Sequence, residues 1–179
     1  QQHARALDVV GDGGDAREKA LAQARAFVEA GADILDIGGE STRPGSRPIT
    51  PAEEQQRILP VVKALAGETS AILSVDTSHA STAAKALEAG ADWINDVRAL
   101  RADGQLAAVC ARSGCGLVLM LNRSDSANAE TRDRLGGRYA AAQYQDLVGE
   151  VIADLRGSIG MALEAGCLRE NLIVDPGIG

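Results

Sequence analysis

Short apolar runs in this chain end repeatedly in a carboxylate or an amide: Asp36 before Gly38-Gly39, Asp76 before Thr77, Asn95-Asp96, Leu121-Asn122, and Asp175 before Pro176-Gly177. A carboxylate at the end of a buried run costs on the order of a few kcal/mol unless something donates to it. One such Asp is explained as the cap of a following helix. Several converging on one mouth repel each other unless a cation or a donor-rich ligand sits among them. A flat heterocycle with adjacent ring N–H and amino groups, such as a pterin, a guanine or an aminopyrimidine, offers the paired donors that a carboxylate accepts side by side. Asp76, Asn95 and Asp175 together match one. Next to them, Gly38-Gly39-Glu40-Ser41-Thr42-Arg43-Pro44-Gly45-Ser46 combines glycines, hydroxyls and a guanidinium after an apolar run, a composition suited to phosphate.

The elements that must position these groups can be read from punctuation. Glu29-Ala30-Gly31-Ala32-Asp33, Glu88-Ala89-Gly90-Ala91-Asp92 and Glu164-Ala165-Gly166-Cys167 share one pattern, each followed by a short apolar run. Glycine just past a helix end tolerates the left-handed backbone, so each joint reads as helix, Gly, strand. The strands are Ile34 to Ile37, Ala71 to Val75, Trp93-Ile94, Leu117 to Leu121 and Leu172 to Val174. They are apolar throughout and do not alternate, as strands buried on both faces of a parallel sheet must be. Helices are expected over Ala16–Ala30, from Pro51 behind a Thr50 cap, over Ser81–Ala89, over Gln105–Arg112 and over about Gly137–Ala165, with Asn122–Gly136 as a long polar loop. His79 reads as a helix-start residue. Strands alternating with helices give right-handed βαβ units. Pattern alone leaves open an open doubly wound sheet or a (β/α)₈ barrel, with length slightly favouring the former; either binds ligands at the carboxyl ends of its strands.

Composition narrows the partners. The chain has 179 residues, 45% hydrophobic and 2% aromatic, so the core is Ala, Val, Leu and Ile, and one domain spanning 1–179 is expected. A formal charge of −7 argues against nucleic acid and anionic membranes, because counterion release needs clustered Lys and Arg. No run approaches a membrane span and no signal-peptide pattern opens the chain, so a cytoplasmic setting is expected. Cys110, Cys115 and Cys167 fit no zinc spacing and read as separate core thiols.

Taken in order, Asp36-Ile37-Gly38-Gly39-Glu40-Ser41-Thr42-Arg43-Pro44-Gly45, Ser74-Val75-Asp76-Thr77-Ser78, Ile94-Asn95-Asp96-Val97 and Asp175-Pro176-Gly177-Ile178-Gly179 resemble the successive motifs of the dihydropteroate synthase family, over roughly Asp12 to Gly179. The resemblance implies a TIM (β/α)₈ barrel and condensation of 6-hydroxymethyl-7,8-dihydropterin diphosphate with para-aminobenzoate, Mg²⁺-assisted, in folate biosynthesis, the step that sulfonamides block. Carried over, Asp76, Asn95 and Asp175 hold the pterin, and Thr42 and Arg43 close over the diphosphate and the aminobenzoate. Asp76, with Asp36 alongside and Arg43 on the loop, forms the catalytic set. A homodimer is also expected, as barrels with exposed helices often pair.

The resemblance has gaps. The family's first strand carries an Asn that helps bind the metal, and here that position falls on Ala4, which leaves the metal ligand unspecified. The fifth strand ends Leu119-Met120-Leu121-Asn122 where the family usually has Met-His. A later Ser-Arg-Lys-Ser motif and an Arg-x-His motif have no counterpart before Gly179, so the expectation is a partial barrel with its last two βα units absent and weak or no catalysis alone. The alternatives are a methyltetrahydrofolate-type methyltransferase domain, which lacks the Gly-Gly-Glu-Ser-Thr-Arg-Pro-Gly loop, and a non-catalytic barrel remnant. A Rossmann sheet ranks last because no G-x-G-x-x-G follows the first strand.

Overall fold

The glycine joints set the architecture. Gly31, Gly90 and Gly166 have φ of +88°, +108° and +98°, so each turns the chain out of a helix and back toward the sheet. In the computed structural model, which describes residues 4–8, 14–40, 49–122, 129–130, 138–139 and 145–177, the elements run β1 (Ala4–Asp8), α1 (Gly14–Glu29), β2 (Ile34–Gly38), α2 (Pro51–Leu65), β3 (Ile72–Asp76), α3 (Ala80–Glu88), β4 (Trp93–Asp96) and α4 (Leu106–Ser113). They continue with β5 (Gly116–Met120), β6 (Ala129–Glu130), β7 (Arg138–Tyr139), α5 (Leu147–Glu164) and, after a 3₁₀ turn at Arg169–Asn171, β8 (Leu172–Asp175).

The six-stranded sheet has the order β1-β2-β3-β4-β5-β8, every neighbouring pair parallel. Strands laid down in chain order, with no reversal, are the wall of a barrel; a doubly wound sheet would show a switch point. The mild length preference for an open sheet is thereby overruled.

Right-handed crossovers place the helices on one side of this wall. Leu35, Ile37, Leu73, Val75, Ile94, Leu117 and Leu119 point to that side and are at most 2% exposed, packed with Ile58, Val61, Val62 and Leu65 of α2, Ala83 and Ala86 of α3, and Leu106 and Cys110 of α4. The other face is the barrel interior. Near its floor the Trp93 indole lies across Gly116, where an added Cβ would sit 2.6 Å from the ring.

Local chemistry fixes the helix starts. Thr50 and Glu53 form the expected capping box: Thr50 N–H donates to Glu53 Oε2 at 2.8 Å and Glu53 N–H donates to Thr50 Oγ1 at 3.2 Å. Asp103 accepts from the N–H groups of Ala80 and Gln105, joining the starts of α3 and α4, and these bonds hold its carboxyl below the usual range.

The last helix departs from expectation. It begins at Leu147, ten residues later than its apolar spacing suggests, because the Asp146 side chain caps Gly149 N–H at 3.1 Å and because Arg138–Tyr139 is spent on a short antiparallel ladder with Ala129–Glu130. Its apolar stripe is also only partly covered. Leu147, Val148 and Ile152 are exposed, while Ala162 and Ser158 are buried. β8 is the last strand of the described sheet, so α5 has wall beneath only part of its length.

Candidate functional site

Strand register decides which polar side chains share a face. Gly38 pairs with Asp76 and Asp76 with Asn95, while Asp36, two residues before Gly38, shares its face; Asn95 pairs with Val118, and Met120 with Asp175. Asp36, Asp76, Asn95 and Asp175 therefore all look into the barrel interior at the carboxyl ends of their strands. This is the convergence expected from the sequence.

At the centre, Asn95 Nδ2 donates to Asp36 Oδ2 at 2.8 Å. That bond uses one oxygen of the carboxylate and the amide's donor end. Asp36 Oδ1 and Asn95 Oδ1 remain buried with no hydrogen-bond partner among the described residues. Buried acceptors without donors are rare in a folded interior.

The other expected residues divide. Asp76 stands beside Asn95 in register, and the Thr77 N–H donates to the Asn95 carbonyl at 3.1 Å, tying the two strand ends together. Asp175 lies at the open edge, is exposed, and accepts from Gly177 N–H at 2.8 Å through one oxygen. Thr42 and Arg43 lie outside the described residues. Asp96 corrects the expectation that every strand-end carboxylate faces the rim: it is fully buried on the helix side. There it accepts from Ser78 Oγ, Arg98 N–H and Leu100 N–H at 2.6–3.0 Å, pinning a turn in which Ala99 and Leu100 have positive φ. Asp96 is thus satisfied by a neighbouring hydroxyl and by backbone amides of the turn that follows it.

Behind the rim lies a carboxylate that reading the motifs did not single out. Glu54 is 2% exposed, and its Oε2 receives Thr77 Oγ1 at 2.9 Å and faces His79 Nδ1 at 3.1 Å. His79 N–H in turn donates to Thr77 Oγ1, so α2 is fastened to the residue after Asp76. The signal was present: Glu54 falls on the same helical stripe as Ile58, Val61 and Leu65, where a charge needs a buried partner. Arg57 Nη1 donates to the Gly39 carbonyl at 3.0 Å and anchors the root of the segment that leads to Thr42 and Arg43. Burial, reinforced by the Glu54 carboxylate, pushes the Glu40 carboxyl above its ordinary value, against the pull of His79, Arg98 and Arg57.

Among the described residues no three His, Cys, Asp or Glu side chains converge to hold a metal ion.

A parallel barrel wall with carboxylate and amide side chains at the carboxyl ends of its strands defines a class, the barrels that bind their ligands at that rim. The family model described as "Pterin binding enzyme" matches residues 10–179, and the chain belongs to that family. It is 39% identical over 174 residues to the dihydropteroate synthase of Bacillus subtilis (strain 168), covering 96% of this chain and 55% of that protein. Among solved structures, Xanthomonas albilineans dihydropteroate synthase with 4-aminobenzoic acid superimposes with a TM-score of 0.85 at 36% identity, over 99% of this chain and 62% of that one. The Yersinia pestis dihydropteroate synthase in a sulfonamide drug complex gives a TM-score of 0.86 at 34% identity, over 99% and 63%. The chain thus spans between about half and two thirds of the length of these relatives, and the likeness confirms the barrel fold.

Proposed function

We propose that this chain carries the pterin half of a dihydropteroate synthase, which condenses 6-hydroxymethyl-7,8-dihydropterin diphosphate with para-aminobenzoate. The observation that supports it most is the pair of buried, unpartnered oxygens on Asp36 and Asn95. A pterin's ring N–H and exocyclic amino group donate in one plane, and such donors relieve the desolvation cost of both acceptors. Asp76 and Asp175 complete the ring of acceptors around the heterocycle.

The chemistry assigned to the chain's own residues is electrostatic. Loss of diphosphate leaves a cationic methylene on the pterin, and fixed carboxylates at Asp76 and Asp36 stabilise that charge as it develops. The aminobenzoate amine then attacks the methylene. Arg43 and Thr42, on the segment rooted at Gly39, bind the diphosphate and the aminobenzoate carboxylate. Mg²⁺ would assist by neutralising the departing diphosphate, and none of these roles passes through it. A sulfonamide, which presents an aniline like that of aminobenzoate, competes for the same place.

Two broader expectations belong to this reading. A homodimer is supported by apolar side chains left exposed on α5, among them Val148, Ile152 and Met161. A cytoplasmic setting is supported by the three free cysteines, which suit a reducing compartment; no helix among the described residues is long and apolar enough to cross a membrane. Calorimetric titration with the pterin diphosphate, followed by an assay for dihydropteroate formed from labelled aminobenzoate, tests the reading. Micromolar binding supports the pocket and product supports the whole proposal, whereas no heat at millimolar ligand refutes it.

A further inference from the structure

The β3–β4 ladder ends on the pair Asp76 and Asn95, yet β3 is held one residue further. Thr77 is 2% exposed and follows the strand alternation to the helix side, so Asp76 and Thr77 face opposite ways from a shared peptide. The Thr77 N–H donates to the Asn95 carbonyl at 3.1 Å. Its hydroxyl donates to Glu54 Oε2 at 2.9 Å and accepts from His79 N–H at 3.1 Å. An ionised carboxylate only accepts, so the Thr77 O–H must point at Glu54 and its lone pair at His79, which leaves the side chain one orientation. A hydroxyl bonded to a charged group is also held more strongly than one bonded to a neutral group.

The peptide between Asp76 and Thr77 is therefore clamped from both sides, by β4 through Asn95 and by α2 through Glu54. Asp76 leaves that peptide toward the interior and lies against Gly38 of β2, where an added Cβ would stand 3.6 Å from Asp76 Cβ and 3.7 Å from Oδ2. Its carboxylate is thus set between Gly38 on one side and Asn95 on the other. Neither Thr77 nor Glu54 faces the interior.

Given the pterin reading above, on which this rests, we infer that Thr77 and Glu54 are positioning residues of the site: their hydroxyl–carboxylate bond sets the direction of Asp76 and its spacing from Asn95. A flat heterocycle presents its donors at fixed separations in one plane. Acceptors on two strands serve it together only when their spacing matches, and a displacement of about 1 Å costs up to roughly a hundredfold. The bond from α2 supplies that precision at the end of β3, where the ladder no longer does.

Stability and positioning can be separated by replacing both partners with apolar groups. Thr77→Val alone leaves the buried Glu54 carboxylate without its hydroxyl donor and weakens the fold. Thr77→Val combined with Glu54→Leu leaves no unmatched group there, so its urea midpoint should return toward that of the parent chain. Fold stability alone does not alter the affinity of a chain that is folded. Each full chain, with Thr77→Ser as the conservative variant, is titrated calorimetrically with the pterin diphosphate under conditions where urea unfolding shows it folded. Thr77→Ser should bind within about twofold of the parent, and the double variant about tenfold more weakly despite its recovered midpoint. A double variant with parental affinity, or a Thr77→Ser chain as weak as the double variant, overturns the inference. Should the double variant not fold, Thr77→Val titrated below its unfolding midpoint decides the matter in the same way, about tenfold weaker binding supporting the role and parental binding overturning it. No heat from the parent chain overturns the pterin reading and this inference with it, whereas equal affinities in parent and variants overturn this inference alone.

Discussion

The Asn95 amide donates to Asp36 at 2.8 Å although their strands are not neighbours, since β3 lies between β2 and β4. In register Asp36 pairs with Ser74 and Asn95 with Asp76, so the bond runs diagonally over the interior face. Two strands in a flat sheet separated by a third stand nearly 10 Å apart, and the concave interior face lets these two short side chains lean toward each other and close that gap. The bond uses one N–H of the Asn95 amide and leaves one oxygen on each residue buried and unmatched. The barrel thereby bears a desolvation cost on folding that a donor-rich ligand recovers on binding.

Removing the amide tests this arrangement. Asn95→Ala strips Asp36 of its buried donor, and the fold is expected to lose about 1–3 kcal/mol, with pterin affinity falling roughly tenfold to a hundredfold. Urea unfolding and calorimetric titration measure the two effects. Unchanged affinity would remove Asn95 from the pterin site.

Asp76 separates binding from chemistry. If its charge stabilises a developing cation, Asp76→Asn should reduce turnover by at least about a hundredfold. The amide still accepts one hydrogen bond, so pterin affinity should stay within about tenfold. A drop in affinity that accounts for the whole loss of kcat/KM would assign Asp76 to binding alone.

Glu54 is expected to matter for stability through Thr77 and His79. Glu54→Ala leaves the buried Thr77 hydroxyl without its acceptor and opens space beneath Gly39, at a cost of about 2–4 kcal/mol. Glu54→Gln keeps an acceptor for Thr77 and should recover more than half of that loss. Equal denaturation midpoints for the two variants would show that the hydrogen bond contributes nothing.

The second glycine of Gly38-Gly39 makes a sharper case. Its place in the sequence suggests a flexible phosphate loop; in the structure it is a packing site, buried under α2, where an added Cβ would lie 2.9 Å from Ile58 Cγ2 and 3.3 Å from Glu54 Cγ. Gly39→Ala is expected to destabilise the chain by about 1–3 kcal/mol. Ile58→Ala removes Cγ2, so the cost of Gly39→Ala should shrink in that background, and a lack of any coupling between the two changes in a double-mutant cycle would contradict the contact.

The wall and its rim were legible because they rest on local signals. Gly31, Gly90 and Gly166 mark the joints, the apolar runs mark β2, β3, β4, β5 and β8 to within two residues, and strand-end polarity marks Asp36, Asp76, Asn95 and Asp175. What stayed hidden depends on which face a side chain takes. Asp96 follows Asn95 directly, and a period of two sends it to the helix side. The start of α5 was hidden because the apolar spacing runs on past the Asp146 cap, which only the bond to Gly149 reveals.

Glu40 gives the last expectation its pH dependence. Its folded carboxyl titrates above the ordinary 4.5, through burial first and the Glu54 charge second. Between 4.5 and the folded value the folded chain holds more protons than the unfolded one, so stability falls as pH rises through that window; below 4.5 both states are protonated and nothing is lost. Glu40→Gln removes the titration. Its urea midpoint should exceed that of the parent chain near pH 7, and the gap should close as the pH falls toward about 4. A gap of constant size across that range would place the effect in packing, and would deny that the charge of Glu40 is opposed by its surroundings at the root of the loop.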